Sequence, residues 1–223
     1  MADVGPAMTG GVILLHGHGR TGRSLRTLAG ALSREGFETM APDYGRHGRS
    51  MAAIVDHLAP GVSAFAPRCQ GPVHIVTHSL GGLVARALLA SHRPDGLGRV
   101  VMLAPPNGGS EWADLLFLLQ LHRPLLGPVG AHLRTARTSA DEALLGVVDF
   151  DLGVIAGDRP LDPIFPRMVL PRPNDGKVSV ASTRVAGMRD HIVLPVSHTL
   201  MVYDRRVAAQ TSTFLRTGYF DRD

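Results

Sequence analysis

A serine between two apolar runs is the residue that could do chemistry in this sequence. Ser79 follows the apolar run 73–77 and precedes a second apolar run that opens Leu80-Gly81-Gly82. A strand, a tight turn and a helix in this order would present the serine hydroxyl as a nucleophile at a helix N-terminus. The glycines would let strand and helix approach closely, although Thr77 replaces the glycine usual two positions before the serine. The alternative is an ordinary turn whose serine caps the helix.

A histidine near the C-terminus is the predicted general base. His198 directly follows the last apolar run, and histidine suits this role because its pKa lies close to neutral pH. In serine hydrolases whose nucleophile lies on a strand–turn–helix, the chain order is nucleophile, acid, base, which also fits a late histidine. His191 lies at the wrong end of the same run, and a helix-capping or surface role for His198 is the alternative. The other histidines after Ser79 are His92, His122 and His132.

Two aspartates compete for the role of the acid. Asp158 directly follows the penultimate apolar run, which is the position expected from topology, and Asp175 lies in a turn further on. Either could instead be structural: Asp158 could pair with Arg159, and Asp175 could form an Asx turn. The residues alone leave this choice open.

A glycine-bordered loop after the first apolar run, His16-Gly17-His18-Gly19, suits an oxyanion hole. Acyl transfer needs two preorganised N–H donors for the tetrahedral oxyanion. We predict that they are the backbone N–H groups of Leu80 and His18. A metal site on the two histidines is disfavoured because no third ligand stands nearby in sequence, so no metal or cofactor is predicted.

Short apolar runs alternate with helical stretches along the chain. This pattern predicts an α/β fold in which right-handed crossovers build a doubly wound, mostly parallel sheet of about six strands, within a single domain spanning 1–223. Ligands of such sheets bind beyond the carboxyl ends of the strands. The helical stretches are 24–34, 51–58, 80–91 and 199–215. The predicted strands are 12–16, 39–42, 73–77, 100–104, 152–156 and 192–196.

One long insert, residues 106–150, interrupts the alternation and is predicted to be a helical cap over the site. Packing against the core or a partner copy is the alternative, as is contact with a lipid surface through the apolar stretch 115–121. The side chains predicted to line the cap are Trp112, Leu115, Leu116, Phe117 and Leu119.

Composition excludes several classes of protein. The 23 basic and 19 acidic residues give a formal net charge of +4, but the basic residues are scattered and only 5% of the chain is aromatic, so nucleic-acid binding is not predicted. The single cysteine, Cys69, allows no internal disulfide. Residues 1–10 lack the features of a signal peptide, and no apolar run could span a bilayer, so we expect a cytoplasmic protein.

Four motifs together resemble the small α/β-hydrolases of the bacterial lipase and esterase kind: 16–19, 77–82, 174–179 and 197–198. The resemblance extends from the first strand to Phe214. It implies that the acid lies in the Asn-Asp-Gly-x-Val turn, which favours Asp175 over Asp158, and that the insert is a lid or cap.

The resemblance also implies a hydrolase of small, apolar carboxylic esters, acting without a cofactor. The same residues could serve a thioesterase, an amidase or an acyltransferase. A non-catalytic binding protein on this scaffold is the hypothesis from another class.

Overall fold

The computed structural model describes residues 10–45, 48–162 and 169–222; the segment 1–9, which bears on the signal-peptide prediction, lies outside these ranges. The described residues form one six-stranded sheet in the order β2-β1-β3-β4-β5-β6, with every pair parallel. The predicted doubly wound parallel sheet is therefore confirmed. The strands are β1 Gly11–Leu15, β2 Glu38–Met40, β3 Val73–His78, β4 Leu97–Leu103, β5 Leu152–Gly157 and β6 Asp190–Leu194.

Helices cover both faces of the sheet, which explains why the central strands are buried and rich in apolar residues. Every residue of β1, β3 and β5 is buried. One apolar core lies between the sheet and the helices α2 and α3, and the other lies between the sheet and the helices α1 and α7. The helices are α1 Arg26–Arg34, α2 Met51–Phe65, α3 Leu80–Ser91, α4 Glu111–Leu118, α5 His122–Leu126, α6 Ser139–Leu145 and α7 Arg205–Thr217.

Three element boundaries differ most from the sequence prediction, and most of the others shift by only one or two residues. Helix α2 continues past Pro60 to Phe65, because Pro60 lies on the exposed face, where the lost backbone hydrogen bond can be replaced by water. Helix α7 begins at Arg205 because the carboxylate of Asp204 caps it by accepting a hydrogen bond from the N–H of Arg206. Strand β4 begins at Leu97, before the residues that are buried on both faces.

The insert contains helices α4, α5 and α6 and a 3-10 segment, Gly127–Leu133. Within the insert, Arg137 donates hydrogen bonds to the carbonyl oxygens of Pro106 at 2.6 Å and of His132 at 2.6 Å. Within the described ranges, none of the helices combines the length and apolar character that crossing a membrane requires.

Two glycines let α3 begin directly against the sheet. A Cβ atom at Gly81 would lie 2.3 Å from the carbonyl oxygen of Leu15, and one at Gly82 would lie 2.8 Å from Cβ of Pro105. Both distances are shorter than van der Waals contact, so any larger residue would push the helix away from the ends of β1 and β4. The start of α3 is therefore fixed by backbone packing.

We predict that Gly81→Ala lowers the free energy of unfolding by about 1–3 kcal/mol, because the added methyl group must displace backbone rather than a flexible side chain. Gly61→Ala is the matched control. Gly61 lies within α2 and nothing lies within 4 Å of its Cβ position, so this change should stabilise the protein by about 0.5–1 kcal/mol. Urea denaturation of both variants measures the difference, and equal destabilisation would contradict the close-approach argument.

Candidate active site

Ser79 occupies a strained backbone conformation between β3 and α3. Its φ of 55° and ψ of −124° lie outside the regions that residues with side chains usually adopt. The turn is held on both sides: the N–H of Ser79 donates to the carbonyl oxygen of Leu103 at 2.8 Å, and the N–H of Gly82 donates to that of Ser79 at 2.9 Å. Ser79 remains half-buried and reaches a pocket.

The structure brings Ser79, His198 and Asp175 into one chain of hydrogen bonds. Nε2 of His198 lies 3.0 Å from Oγ of Ser79, and Nδ1 of His198 lies 2.8 Å from Oδ2 of Asp175. A carboxylate accepts only, so Nδ1 carries the proton and Nε2 is left to accept the serine hydroxyl proton. His198 and Asp175 are both buried.

A tight turn holds the carboxylate of Asp175. Its other oxygen, Oδ1, accepts the N–H groups of Lys177 at 2.9 Å and of Val178 at 2.8 Å. Gly157, at the end of β5, provides the necessary space, since a Cβ there would lie 2.9 Å from Cβ of Asp175 and 2.4 Å from the carbonyl oxygen of Val196. The segments that carry Asp175 and His198 thus pack against the same strand end.

The other predicted acid, Asp158, lies outside the hydrogen-bond chain of Ser79, His198 and Asp175. Its Oδ1 is 3.6 Å from Nε of Arg159, and its N–H donates to the carbonyl oxygen of Leu194. The geometry therefore joins Asp175, rather than Asp158, to the imidazole of His198. His191 lies at the amino end of β6, where its Nε2 is 2.9 Å from Oγ1 of Thr183.

The loop after β1 passes directly against Ser79. A Cβ atom at Gly17 would lie 3.2 Å from Cβ of Ser79, and His18 lines the pocket beyond it. On the other side Leu80 is the first residue of α3, where backbone N–H groups have no acceptor within the helix. Both predicted oxyanion donors thus belong to segments that adjoin Ser79.

The histidine side chains of this loop have structural contacts. The His16 ring stacks on Tyr44 with ring centroids 3.9 Å apart, and burial lowers the pKa of His16. Nε2 of His18 lies 3.1 Å from the carbonyl oxygen of Leu126 in the insert. The side chain of His18 thus connects the loop to the insert.

The pocket that reaches Ser79 and His198 has a volume of about 130 Å³. The insert contributes part of its wall, and that part is mainly apolar. The insert residues that line it are Pro106, Ser110, Trp112, Ala113, Leu126 and Leu133.

Of the five cap residues predicted from sequence, the structure brings only Trp112 to this pocket. Leu116 is buried in the core, and Phe117 packs against that core and stacks on His122. Leu119 is 55% exposed and Leu115 is half-buried outside the pocket wall. The apolar lining comes instead from Ala113 and from two leucines further along the insert, Leu126 and Leu133.

A larger hollow, of about 850 Å³, lies at the opposite edge of the sheet, where β3 and β4 begin. Two of its arginines pair with carboxylates of the same hollow: Arg93 with Asp149, and Arg99 with Asp151 at 3.8 Å. It is an open surface hollow far from Ser79, so the candidate site is the smaller pocket.

The comparison of sequences agrees with this geometry. A model of the alpha/beta hydrolase family matches residues 12–218. The chain belongs to this family. The resemblance inferred from the four motifs is therefore confirmed.

One relative of this alpha/beta hydrolase by sequence is named as a lipase. Lipase LipV of Mycobacterium tuberculosis is 38% identical over 154 residues, which cover 66% of this chain and 58% of LipV, so the match spans little more than half of that relative. The mature lipase BlEst2 of Bacillus licheniformis has a similar structure, with a TM-score of 0.77 at 16% identity over 98% of this chain and 95% of that one. Phospholipase PlaB of Legionella pneumophila gives a TM-score of 0.65 at 18% identity, over 96% of this chain and 57% of that one. At these identities the structural matches show the shared fold.

Sequence analysis also missed the role of a histidine of the alpha/beta hydrolase site. His78, the last residue of β3, is buried and donates a hydrogen bond from Nε2 to the carbonyl oxygen of His198 at 2.9 Å. Burial, and then electrostatic repulsion between the two imidazoles of His78 and His198, hold the pKa of His78 well below its usual range. His78 is therefore a neutral donor that fixes the backbone of His198. Its position directly before Ser79 was the available signal.

We predict that His78→Leu lowers kcat on an ester substrate by roughly tenfold to a hundredfold, because His198 loses the donor that aligns it. His78→Gln, which can donate from a similar position, should keep most of kcat. Steady-state kinetics beside thermal unfolding test this. If the two variants lost kcat equally while remaining folded, His78 would have no positioning role.

Proposed function

We propose that this protein is a serine hydrolase of carboxylic esters in which Ser79 is the nucleophile, His198 the general base and Asp175 the acid. The observation that carries the proposal is the unbroken hydrogen-bond chain from Asp175 Oδ2 through His198 to Ser79 Oγ, with contacts of 2.8 and 3.0 Å. The strained turn that exposes Ser79 supports it, because such strain persists only where the surrounding structure enforces it. The lipase name of a relative 38% identical supports ester substrates.

The first half of the reaction forms an acyl-enzyme. Oγ of Ser79 attacks the ester carbonyl carbon while Nε2 of His198 takes the hydroxyl proton. The resulting oxyanion is stabilised by the N–H groups of Leu80 and His18 and by the N-terminus of α3. His198 then gives the proton to the departing alkoxide oxygen as the ester C–O bond breaks, so the alcohol leaves neutral.

The second half releases the acid. Water takes the place of the alcohol, gives a proton to Nε2 of His198 and attacks the acyl carbon; the bond to Ser79 Oγ then breaks and that oxygen recovers the proton. Asp175 acts throughout by keeping the proton on Nδ1 and by stabilising the imidazolium. Its carboxylate is preorganised for this because two backbone N–H groups hold the other oxygen.

The insert, residues 106–150, acts in this proposal as a cap that shapes the substrate pocket. Support comes from its contribution to the wall beside Ser79, including Trp112, Leu126 and Leu133. A pocket of about 130 Å³ suits a short acyl group, so p-nitrophenyl butyrate is a suitable assay substrate.

Ser79→Ala should lower kcat for p-nitrophenyl butyrate by about four to six decades, and His198→Ala should lower it nearly as much. The double variant should be no worse than either single one, because the residues act as a unit. Kinetics of purified, folded variants provide the test. Substantial activity in Ser79→Ala would disprove the assignment of the nucleophile.

Asp175→Asn should lower kcat by orders of magnitude, since the amide can hold the imidazole but favours the wrong tautomer and lacks the charge. Asp158→Asn is the matched control, because it removes the same charge directly after β5. It should have little effect on kcat. The reverse ranking in the same assay would assign the acid to Asp158.

A further inference from the structure

Among the residues that the structure describes, two cations and no carboxylate line the pocket beside Ser79. Arg20 comes from the loop after β1, close to the predicted oxyanion donor His18, and Lys177 comes from the turn that carries Asp175. The two therefore approach the reacting centre from different segments of the chain. Lys177 is also the only lysine of the sequence.

Neither cation is neutralised by an ion pair. Among residues 10–45, 48–162 and 169–222, the salt bridges involve other side chains, and Asp175 is engaged by His198. Arg20 is half-buried, whereas Lys177 is exposed at the mouth of the pocket. A half-buried guanidinium without a carboxylate partner has lost part of its hydration, and a bound anion would compensate for that loss.

The charges of Arg20 and Lys177 alter pKa values within the site. Loss of solvation, followed by repulsion from Arg20, lowers the pKa of Lys177, and the attraction of Asp175 only partly opposes this. Both cations also contribute to lowering the pKa of His78, after the larger effects of burial and His198. The pocket thus carries a net positive potential, and its partly apolar wall strengthens that potential at short range.

We propose that this pocket selects esters that carry an anionic group, a carboxylate or a phosphate, which Arg20 and Lys177 bind beside the scissile bond. The inference rests on the proposed function and specifies its substrate class. The guanidinium suits the planar, two-oxygen geometry of a carboxylate or phosphate, while the ammonium adds a point charge at the mouth. The apolar wall formed by the insert then holds the uncharged part of the substrate.

A competing explanation assigns the two cations to the oxyanion itself. In that case they would accelerate neutral and anionic esters equally. A matched pair of substrates separates the explanations: the p-nitrophenyl monoester of glutaric acid, and p-nitrophenyl 5-methylhexanoate, in which a neutral isopropyl group replaces the carboxylate.

The measured quantity is the ratio of kcat/KM for the anionic ester to that for its neutral partner. Arg20→Gln and Lys177→Gln should each lower this ratio by roughly tenfold, whereas Arg20→Lys should preserve most of it. Lys177→Gln keeps the backbone N–H that binds Asp175. Arg34→Gln removes the same charge at the exposed end of α1 and should leave the ratio unchanged.

Salt provides a second readout. Raising the ionic strength from about 20 mM to about 500 mM should lower the ratio for the natural sequence and much less for Arg20→Gln.

A second pair of substrates distinguishes the source of the anion: 4-acetoxyphenyl phosphate, with its charge on the alcohol side, is compared with neutral 4-acetoxybenzamide. A charge-dependent loss in either arm supports the inference and identifies the side of the ester that carries the anion.

Substrate binding measured with the Ser79→Ala variant tests the anion preference separately from the proposed hydrolase function. Calorimetry with the glutaric monoester and its neutral partner reports anion selection without hydrolysis. If binding prefers the anion but Ser79 proves dispensable for hydrolysis, the proposed function fails and this inference survives. If Ser79 is essential and neither Arg20→Gln nor Lys177→Gln changes either kinetic ratio or the binding preference, the inference is overturned.

Discussion

The backbone conformation of Ser79 is the constraint on which the rest of the site depends. A φ of 55° and a ψ of −124° aim its side chain away from both strand and helix, and the hydrogen bond to Leu103 in β4 fixes the turn to the sheet. This arrangement requires α3 to begin against the end of β1, which only a glycine at position 81 permits. The strain at one residue is thus maintained by close packing around it.

The parallel sheet brings distant segments to this turn. The loop after β1 meets Ser79 at Gly17, and the segments that follow β5 and β6 meet each other at Gly157. Because all six strands are parallel, their carboxyl ends lie along one edge, where residues separated by more than 100 positions, such as Ser79 and His198, come within hydrogen-bond distance. His78 completes the arrangement by joining the end of β3 to the backbone of His198.

The sheet and the nucleophile turn could be predicted because burial on both faces leaves a strong apolar signal and because glycine is required at close contacts. The residues that line the pocket on the side of the cap could not be predicted in this way. Residues 112–119 are apolar on several sides, so nothing in the sequence indicated that Leu116 faces the core while Leu119 faces solvent. Arg20 and Lys177 were missed for a related reason: an isolated charge in a loop resembles any surface charge until the fold places it in a pocket. Thr77 departs from the usual glycine, and its Oγ1 would be in ordinary van der Waals contact, at 3.5 Å, with a Cβ at position 82.

Covalent labelling with a fluorophosphonate tests the central claim most directly, because this reagent reacts with a serine only when a neighbouring base activates it. Intact mass and peptide mapping should find one adduct per chain, on Ser79. Labelling should be absent in Ser79→Ala and strongly slowed in His198→Ala, with both variants folded. An adduct on another residue, or labelling of Ser79 at an unchanged rate in His198→Ala, would contradict the account.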